Sequence, residues 1–257
     1  MAWELLVLNF CYSLWGTRMI SRSSLAAIAS ATLLSTAASA APTFQQFGDL
    51  SDAGPNAPVT FGGSGIPDAN TAIANIEANQ LSGLIGLTIT PRYSAPAPVV
   101  VSDGVFQVQA GTETAGCCTG SLWNFSFYAD ILDGVDYELL YDFDPSAGTD
   151  YGILQIDSSF FIEDGAYQNS QNPLFAYLSD GSLINTPPAT FDFDADVDGL
   201  YNLRLAAYDS LSSELLGEVA VDVIVGDGPQ DVPAPAALGL LGLGVAGLSA
   251  LRRRRNV

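Results

Sequence analysis

The chain of 257 residues contains no histidine and no lysine, and its eight basic residues are all arginine. Without imidazole, Ser-His-Asp and Cys-His catalysis and histidine-ligated zinc are excluded. Without a lysine amine, Schiff-base chemistry and Walker-type phosphate sites are excluded as well. Carboxylates and tyrosines remain as the groups that could act in catalysis. Because nothing in the sequence singles out a pair of carboxylates, we expect a protein that is not an enzyme.

Positive charge is scarce in the central part of the chain. Only Arg92 and Arg204 lie within residues 41–231, which hold all but one of the 28 acidic residues. The net charge of this body is therefore about −25, and such a surface repels nucleic acid and anionic lipid. We expect no nucleic-acid partner. The acidic surface suits solubility in salty surroundings or the binding of divalent cations, or it is simply solvated.

The C-terminal 26 residues have the pattern of a membrane-sorting signal. They comprise a proline-containing spacer, an apolar segment and an arginine cluster: Val232, Pro233, Ala234 and Pro235, then residues 236–251, then Arg252, Arg253, Arg254 and Arg255. At ~1.5 Å rise per residue, a helix over the apolar segment falls somewhat short of a ~30 Å hydrocarbon core and can span it only marginally. The arginines are retained on the cytoplasmic side, which places the body outside. The prolines keep the spacer extended and accessible to a processing enzyme.

This tail resembles the PEP-CTERM sorting tails of exported proteins of Gram-negative bacteria. The resemblance implies cutting by an exosortase-type enzyme, anchoring in the inner membrane through the transmembrane helix 236–251 before processing, and then a place at the cell surface or outside the cell. This chain reads Pro233-Ala234-Pro235 where the family has Pro-Glu-Pro. A plain C-terminal tail anchor is the alternative interpretation.

The N-terminal 40 residues predict an export signal. Its parts are Arg22, the apolar run 25–34, and the small residues Ala38, Ala40 and Ala41 at the cleavage site. This order of charge, apolar run and small residues is that of a signal peptide, and it predicts that signal peptidase cuts before Ala41. Because Met19 begins a complete signal peptide by itself, residues 1–18 are predicted to be an upstream extension.

Short runs of β-forming residues between turn residues predict an all-β fold, an immunoglobulin-like antiparallel β-sandwich, over residues 83–228. The predicted strands are Leu84–Thr90, Gly104–Gln109, Trp123–Ala129, Tyr137–Phe143, Ile153–Ile156, Phe175–Leu178, Tyr201–Tyr208 and Glu218–Val225. Alternation is clearest in Tyr201–Tyr208, where Leu203 and Leu205 are expected to face the core and Arg204 the solvent.

Residues 41–82 are predicted to be either an N-terminal arm or the first strands of the sandwich. One short helix is expected there, Ala69–Gln80, with Asp68 as its N-cap and with Ile73 and Ile76 on one face.

Two further resemblances concern the body. Asp198–Tyr201 and the two alternating strands after it resemble the closing hairpin of immunoglobulin-like sandwiches. Four segments and this hairpin also resemble, in order, an uncharacterised domain common among exported proteins with such tails: Phe61–Pro67, Trp123–Tyr128, Tyr141–Pro145 and Gln168–Asn172. This second resemblance implies no established chemistry.

One acidic segment is a candidate metal site. Its alternating carboxylates are Asp192, Asp194, Asp196 and Asp198, followed by Gly199. The segment resembles an Asp-x-Asp-x-Asp-Gly calcium loop, although Leu205 stands where an EF-hand has its bidentate Glu. A surface calcium site is therefore possible, and no other cofactor is expected. Alternatively, the segment is an exposed edge with Phe191 and Phe193 facing the core.

These features predict an exported, surface-sorted, non-enzymatic protein of the cell envelope or extracellular matrix with a structural or adhesive role. One alternative is a calcium- or polysaccharide-binding module. A sugar-stacking platform would draw on aromatics that are otherwise expected in the core, namely Trp123, Tyr128, Tyr151 and Tyr167. The other is a glycan hydrolase with two carboxylates ~5 to ~9 Å apart. The expected partners are signal peptidase, an exosortase-type enzyme, the inner membrane and an extracellular polysaccharide.

Overall fold

The computed structural model describes residues 41–227, with the exception of 54–58, 62–65, 117, 146–148, 158–161, 164, 183–184, 190 and 192. The predicted signal peptide, the sorting spacer and the predicted transmembrane helix 236–251 all lie outside the described residues. Within the described ranges, no helix is both long and apolar enough to cross a membrane.

The described residues are built almost entirely from β-strands, which confirms the all-β class. Fifteen strands are seen in them, and they run β1 Gln46–Gly48, β2 Thr71–Ala78, β3 Leu81–Pro91, β4 Val99–Ser102, β5 Val105–Val108, β6 Thr112–Ala115, β7 Cys118–Ser121, β8 Trp123–Asp130, β9 Val135–Asp142, β10 Gly152–Ile156, β11 Ile162–Glu163, β12 Ala166–Gln171, β13 Asn185–Thr186, β14 Gly199–Asp209 and β15 Leu215–Val225. The helices are a 3-10 turn, Leu50–Asp52, and α1, Ala176–Asp180.

The strands form two large sheets and a small ribbon. The six-stranded sheet has the order β1-β2-β3-β8-β12-β11, and the seven-stranded sheet has the order β13-β10-β9-β14-β15-β5-β4. β6 and β7 pair with each other only. Both large sheets have more strands than those of a constant-type immunoglobulin domain.

One strand pair corrects the prediction of a purely antiparallel sandwich. β5 lies parallel to β15, with Val105 opposite Asp222, so the seven-stranded sheet is mixed. These strands are far apart in the sequence and are not joined by a hairpin. Local turn signals therefore could not set their relative direction.

The core lies between the two large sheets and is rich in aromatic rings. As predicted from the alternation, Leu203 and Leu205 of β14 are fully buried. At one end of the core, Phe143 and Phe193 pack with ring centroids 5.2 Å apart, and Trp123 packs edge-on against Phe193 at 6.0 Å. Such tilted aromatic contacts add stability beyond the area that they bury.

The predicted helix Ala69–Gln80 is wrong, because residues 71–78 form strand β2. Asn79 and Gln80 both have positive φ angles, 51° and 67°, and Ala78 pairs with Leu81. A two-residue loop with both φ angles positive is the tight turn that best matches the twist of a β-hairpin. The turn therefore fixes this segment as the first strand of a hairpin.

The helical pattern arose because β2 is buried on both faces. Ile76 contacts the main core between the sheets, whereas Ile73 contacts a second cluster with Leu50 and Phe61 on the outer face of the six-stranded sheet. Asp68 is not a helix cap. Its carboxylate accepts a hydrogen bond from the Phe61 backbone N–H at 2.8 Å. This bond helps to hold Phe61 in the second cluster.

The predicted strand Phe175–Leu178 is also wrong, since α1 occupies this region. The helix ends at Gly181, which has a left-handed backbone with φ of 68°. Such a glycine is a common helix terminus. Leu178 is fully buried, and its carbonyl oxygen lies 2.7 Å from the Tyr141 hydroxyl. A four-residue apolar run does not distinguish a strand from one turn of helix.

Candidate functional site

The two ends of the sandwich differ in chemistry, and the sorting tail leaves from one of them. β14 and β15 are antiparallel neighbours along their whole lengths, so the start of β14 and the end of β15 lie at the same end. There, Gly226 donates its N–H to the Val108 carbonyl at 2.8 Å. Asp227 is the last described residue. We name this end the exit end, because the chain continues from it into the tail.

The opposite end of the sandwich is formed by three turns, residues 79–80, 131–134 and 210–213, which we name the distal tip. The Ser210 N–H donates to the Gly134 carbonyl at 2.9 Å, and the Asn79 side-chain amide donates to the Asp133 carbonyl at 3.0 Å. These bonds hold the three turns together. The 11 residues of β14 at ~3.3 Å each separate the tip from the exit end by about 35 Å.

Large aliphatic side chains are exposed at or next to the distal tip. Leu211 is 96 % exposed, and Leu81, Ile131 and Leu215 are between 40 and 49 % exposed. Soluble proteins seldom keep several such side chains together in water unless they serve in an interaction. Sequence alternation could not find this surface, because its members come from three separate turns.

A row of polar side chains crosses the outer face of the seven-stranded sheet. Asn202 of β14 lies directly between Asp142 of β9 and Asp222 of β15. The Asn202 side-chain amide donates to Asp222 at 2.8 Å, and the Tyr151 hydroxyl donates to the Asn202 oxygen. All three members of the row are buried, and Asp142 is only 4 % exposed. The amide of Asn202 thus stands between the two carboxylates.

Burial has the largest effect on the pKa of Asp142. It raises the pKa of this carboxyl from 3.8 to about 6, against the opposing hydrogen bonds from the backbone N–H groups of Asp144 and Asp150. The negative charges of those two neighbours raise the pKa further. Burial also raises the pKa of Tyr151, and the charge of Asp142 adds to this shift.

Replacing Asp142 with asparagine is expected to stabilise the fold at neutral pH. The folded pKa lies above the unfolded one, so the wild type loses stability as the pH rises from about 4 to about 6. By linkage this loss amounts to about 2 to 3 kcal/mol. Asp142→Asn should remove it, as measured by urea unfolding between pH 4 and pH 8.

Asp209→Asn is the control, and it should change the stability at neutral pH in the opposite direction. Hydrogen bonds from Ser212 and Leu211 lower the pKa of Asp209, so its ionised form stabilises the fold. The asparagine variant should therefore lose stability at neutral pH and approach the wild type in acid. A pH profile of Asp142→Asn that parallels the wild type would contradict the assignment.

Three of the four predicted calcium residues, Asp194, Asp196 and Asp198, lie within the described residues, and Asp192 lies outside them. Among the described residues, no three Asp, Glu or Cys side chains converge on a point that could hold a metal ion. Asp194 accepts a hydrogen bond from the Asp196 N–H at 2.9 Å, and Asp198 accepts one from the Asp227 N–H at 3.3 Å. Asp194 and Asp198 thus stabilise a turn and the exit end.

Phe191 and Phe193 lie beside these aspartates, and the alternative interpretation predicted that both face the core. Phe193 is buried in the main core, and Phe191 is partly buried against it. The structure therefore confirms that both face the core.

The aromatic residues considered for sugar stacking do not share a surface. Trp123 is in the main core, and Tyr167 packs against that core beside Tyr137. Tyr128 lies on the outer face of the six-stranded sheet, in the cluster that contains Phe61. Tyr151 donates a hydrogen bond to Asn202 of the polar row on the other sheet.

A groove of about 490 Å³ runs beside β4 and β5 at the exit end. Pro96, Ala97 and Val99 line one part of it, and Gln109 and Asp227 line another. The Gln107 side chain, which also lines it, donates to the Gly226 carbonyl at 2.9 Å. The groove depends on the parallel pairing of β5 with β15, and local sequence patterns gave no sign of it.

Comparison with known proteins identifies the tail. Residues 231–255 match the PEP-CTERM protein-sorting motif, which confirms the resemblance. No curated protein and no solved structure matches the chain. The chain therefore carries a sorting motif of exported proteins. This motif implies processing by an exosortase-type enzyme and export across the inner membrane to the surface or the extracellular space.

Proposed function

We propose that this chain is a non-enzymatic adhesive or structural component of the cell surface or matrix, and that its distal tip makes the contact. The observation that supports this proposal is the position of Leu211 and its exposed neighbours at the end opposite the tail. A tail that leaves at one end directs the other end outward. The tip then stands about 35 Å beyond the exit end.

The short spacer keeps the exit end close to the membrane before processing. Eight residues lie between Asp227 and Ala236, and an extended chain of that length spans at most about 30 Å. The apolar segment 236–251 anchors the chain in the inner membrane during this stage. The body then has its exit end toward the bilayer.

The chemistry of the tip suits contact with a partner. Burial of a fully exposed leucine stabilises a contact by about 1.5 to 3 kcal/mol, and Leu211 has the most exposed surface to bury. Asp133, Asp209 and Glu214 beside it keep the tip hydrated. They favour a partner whose surface is uncharged or basic, because like charges across an interface are destabilising.

The polar row supports the non-enzymatic part of the proposal. Hydrolysis of a glycan needs two carboxylates that face substrate and water in a cleft. Asp142 and Asp222 are the most buried carboxylates of the described residues, and Asn202 stands between them. Their arrangement is that of a buried hydrogen-bonded network rather than of an open active site.

The test replaces the tip leucines in the full chain and measures adhesion. Leu211→Asn combined with Leu215→Asn is expected to reduce cell aggregation and retention of the protein in the matrix several-fold. Export, processing and melting temperature should not change. Val197→Asn at the exit end, where the valine is 45 % exposed, is the matched control and should behave as the wild type. Full adhesion of the leucine variant would overturn the proposal.

A further inference from the structure

The lateral strands of the two large sheets differ in length. β1 and β11 end the six-stranded sheet, and β13 and β4 end the seven-stranded sheet. β11 and β13 have two residues each, β1 has three and β4 has four. Short edges limit pairing with another chain. β4 therefore presents the longest open edge of these two sheets in the described residues.

β4 also lacks the charge that usually protects an edge. Its sequence is Val99-Val100-Val101-Ser102, and the preceding residues 94–98 are uncharged as well. Val99 is 60 % exposed and Val101 is 56 % exposed. Charged side chains on an edge strand normally oppose pairing with a second sheet. In a body with a net charge near −25, this strip of nine residues carries no charge of its own.

We propose that β4 pairs with β4 of a second copy of this chain, antiparallel and related by a two-fold axis. The axis passes beside Val100. Val99 then lies opposite Val101 of the partner subunit, and the same contact is repeated on the other side of the axis. The seven-stranded sheets of the two copies join into one continuous sheet.

The pattern of β4 is self-complementary, and this favours a second copy over another partner. An isologous two-fold contact requires that each residue meet its counterpart from the other copy in the reverse order. Two exposed valines placed symmetrically about Val100 satisfy this requirement, and β-branched pairs stabilise neighbouring strands. Pro98 before β4 and the irregular pairing between Val100 and Ser102 are features that limit edge pairing. They confine the contact to these four residues and keep the dimer weak enough to dissociate.

Salt should strengthen the dimer. Two acidic bodies repel each other at long range, and Asp103, the exposed residue after β4, adds to this repulsion. The four residues Val99–Ser102 carry no charge, so salt screens the repulsion and leaves the strand contact unchanged. The Debye length shortens from about 30 Å at 0.01 M salt to about 10 Å at 0.1 M. We therefore expect the dimer dissociation constant to fall roughly tenfold as salt rises through this range.

The test measures the association of the full chain, expressed with its own sorting signals in an exosortase-bearing host and purified from it. Sedimentation equilibrium should show a monomer–dimer equilibrium for the wild type. Val101→Glu and Val101→Lys should each raise the dissociation constant at least tenfold, because both place a charge in the seam. If only net charge mattered, Val101→Glu would raise the dissociation constant and Val101→Lys would lower it. That result would overturn the proposal.

Leu211→Glu and Leu211→Lys at the distal tip are the matched controls, and they should leave the dimer unchanged. Loss of the dimer in these variants, or a wild type that is monomeric at every concentration and salt, would also overturn the proposal. Unchanged melting temperatures would show that the Val101 variants fold. Failure of the dimer proposal would leave the proposed adhesive function intact, because tail sorting and contacts at the tip do not require β4.

Discussion

Replacement of Arg252, Arg253, Arg254 and Arg255 by glutamine is expected to abolish membrane retention and processing of the chain. As a helix, the 16 residues 236–251 would be about 24 Å long, somewhat short of the ~30 Å hydrocarbon core. Such a segment stops in the membrane because arginines after it are held on the cytoplasmic side. Without them, the segment should pass through, and at least a tenfold larger share of the chain should leave the membrane with its C-terminus uncut.

The matched control replaces the same four arginines with lysine. This variant keeps the positive charge and should be retained and processed as the wild type. Fractionation with antibodies to the body and to the C-terminus separates the two forms. A glutamine variant that is still held in the membrane and cut would show that the charge does not fix the orientation of the tail.

The second large effect is expected at Gly152, the first residue of β10. A Cβ atom placed there would lie 2.6 Å from the hydroxyl oxygen of Tyr141, whose ring is fully buried. Gly152→Val should displace the Tyr141 ring, separate its hydroxyl from the Leu178 carbonyl and disturb the core. We expect a loss of about 3 kcal/mol in the free energy of unfolding, seen as a fall of about 10 °C in melting temperature.

Gly48→Val is the control for this substitution. Gly48 also lies in a strand, β1, but a Cβ atom there would meet nothing within 4 Å. The control should keep the stability of the wild type within about 0.5 kcal/mol. Equal stability of the two variants would show that Tyr141 is not confined as described.

The parts of the fold that follow from local alternation were predicted well. β14 and β15 alternate apolar residues that face the core with residues on the other face that are mostly polar or small. The errors fall on segments that do not alternate in this way. β2 buries both Ile73 and Ile76, on opposite faces, so its apolar residues imitated a helix. α1 is one short turn, and its composition resembles that of a strand.

The candidate surfaces were less predictable than the tail. The polar row joins Asp142, Asn202 and Asp222, which meet only through the register of three strands. The distal tip collects leucines from separate turns, and β4 becomes an edge only because β5 pairs with β15. The sorting motif, in contrast, consists of consecutive residues, so its pattern is visible without a fold.

The termini of the protein recovered from outside the cell test the central claim most directly. Mass spectrometry is expected to find a chain that begins at Ala41 and ends within or next to Val232–Pro235, without the apolar segment and the arginines. Removal of the exosortase should leave the tail uncut and the protein in the membrane fraction. An intact chain of 257 residues in the cytosol would contradict the account.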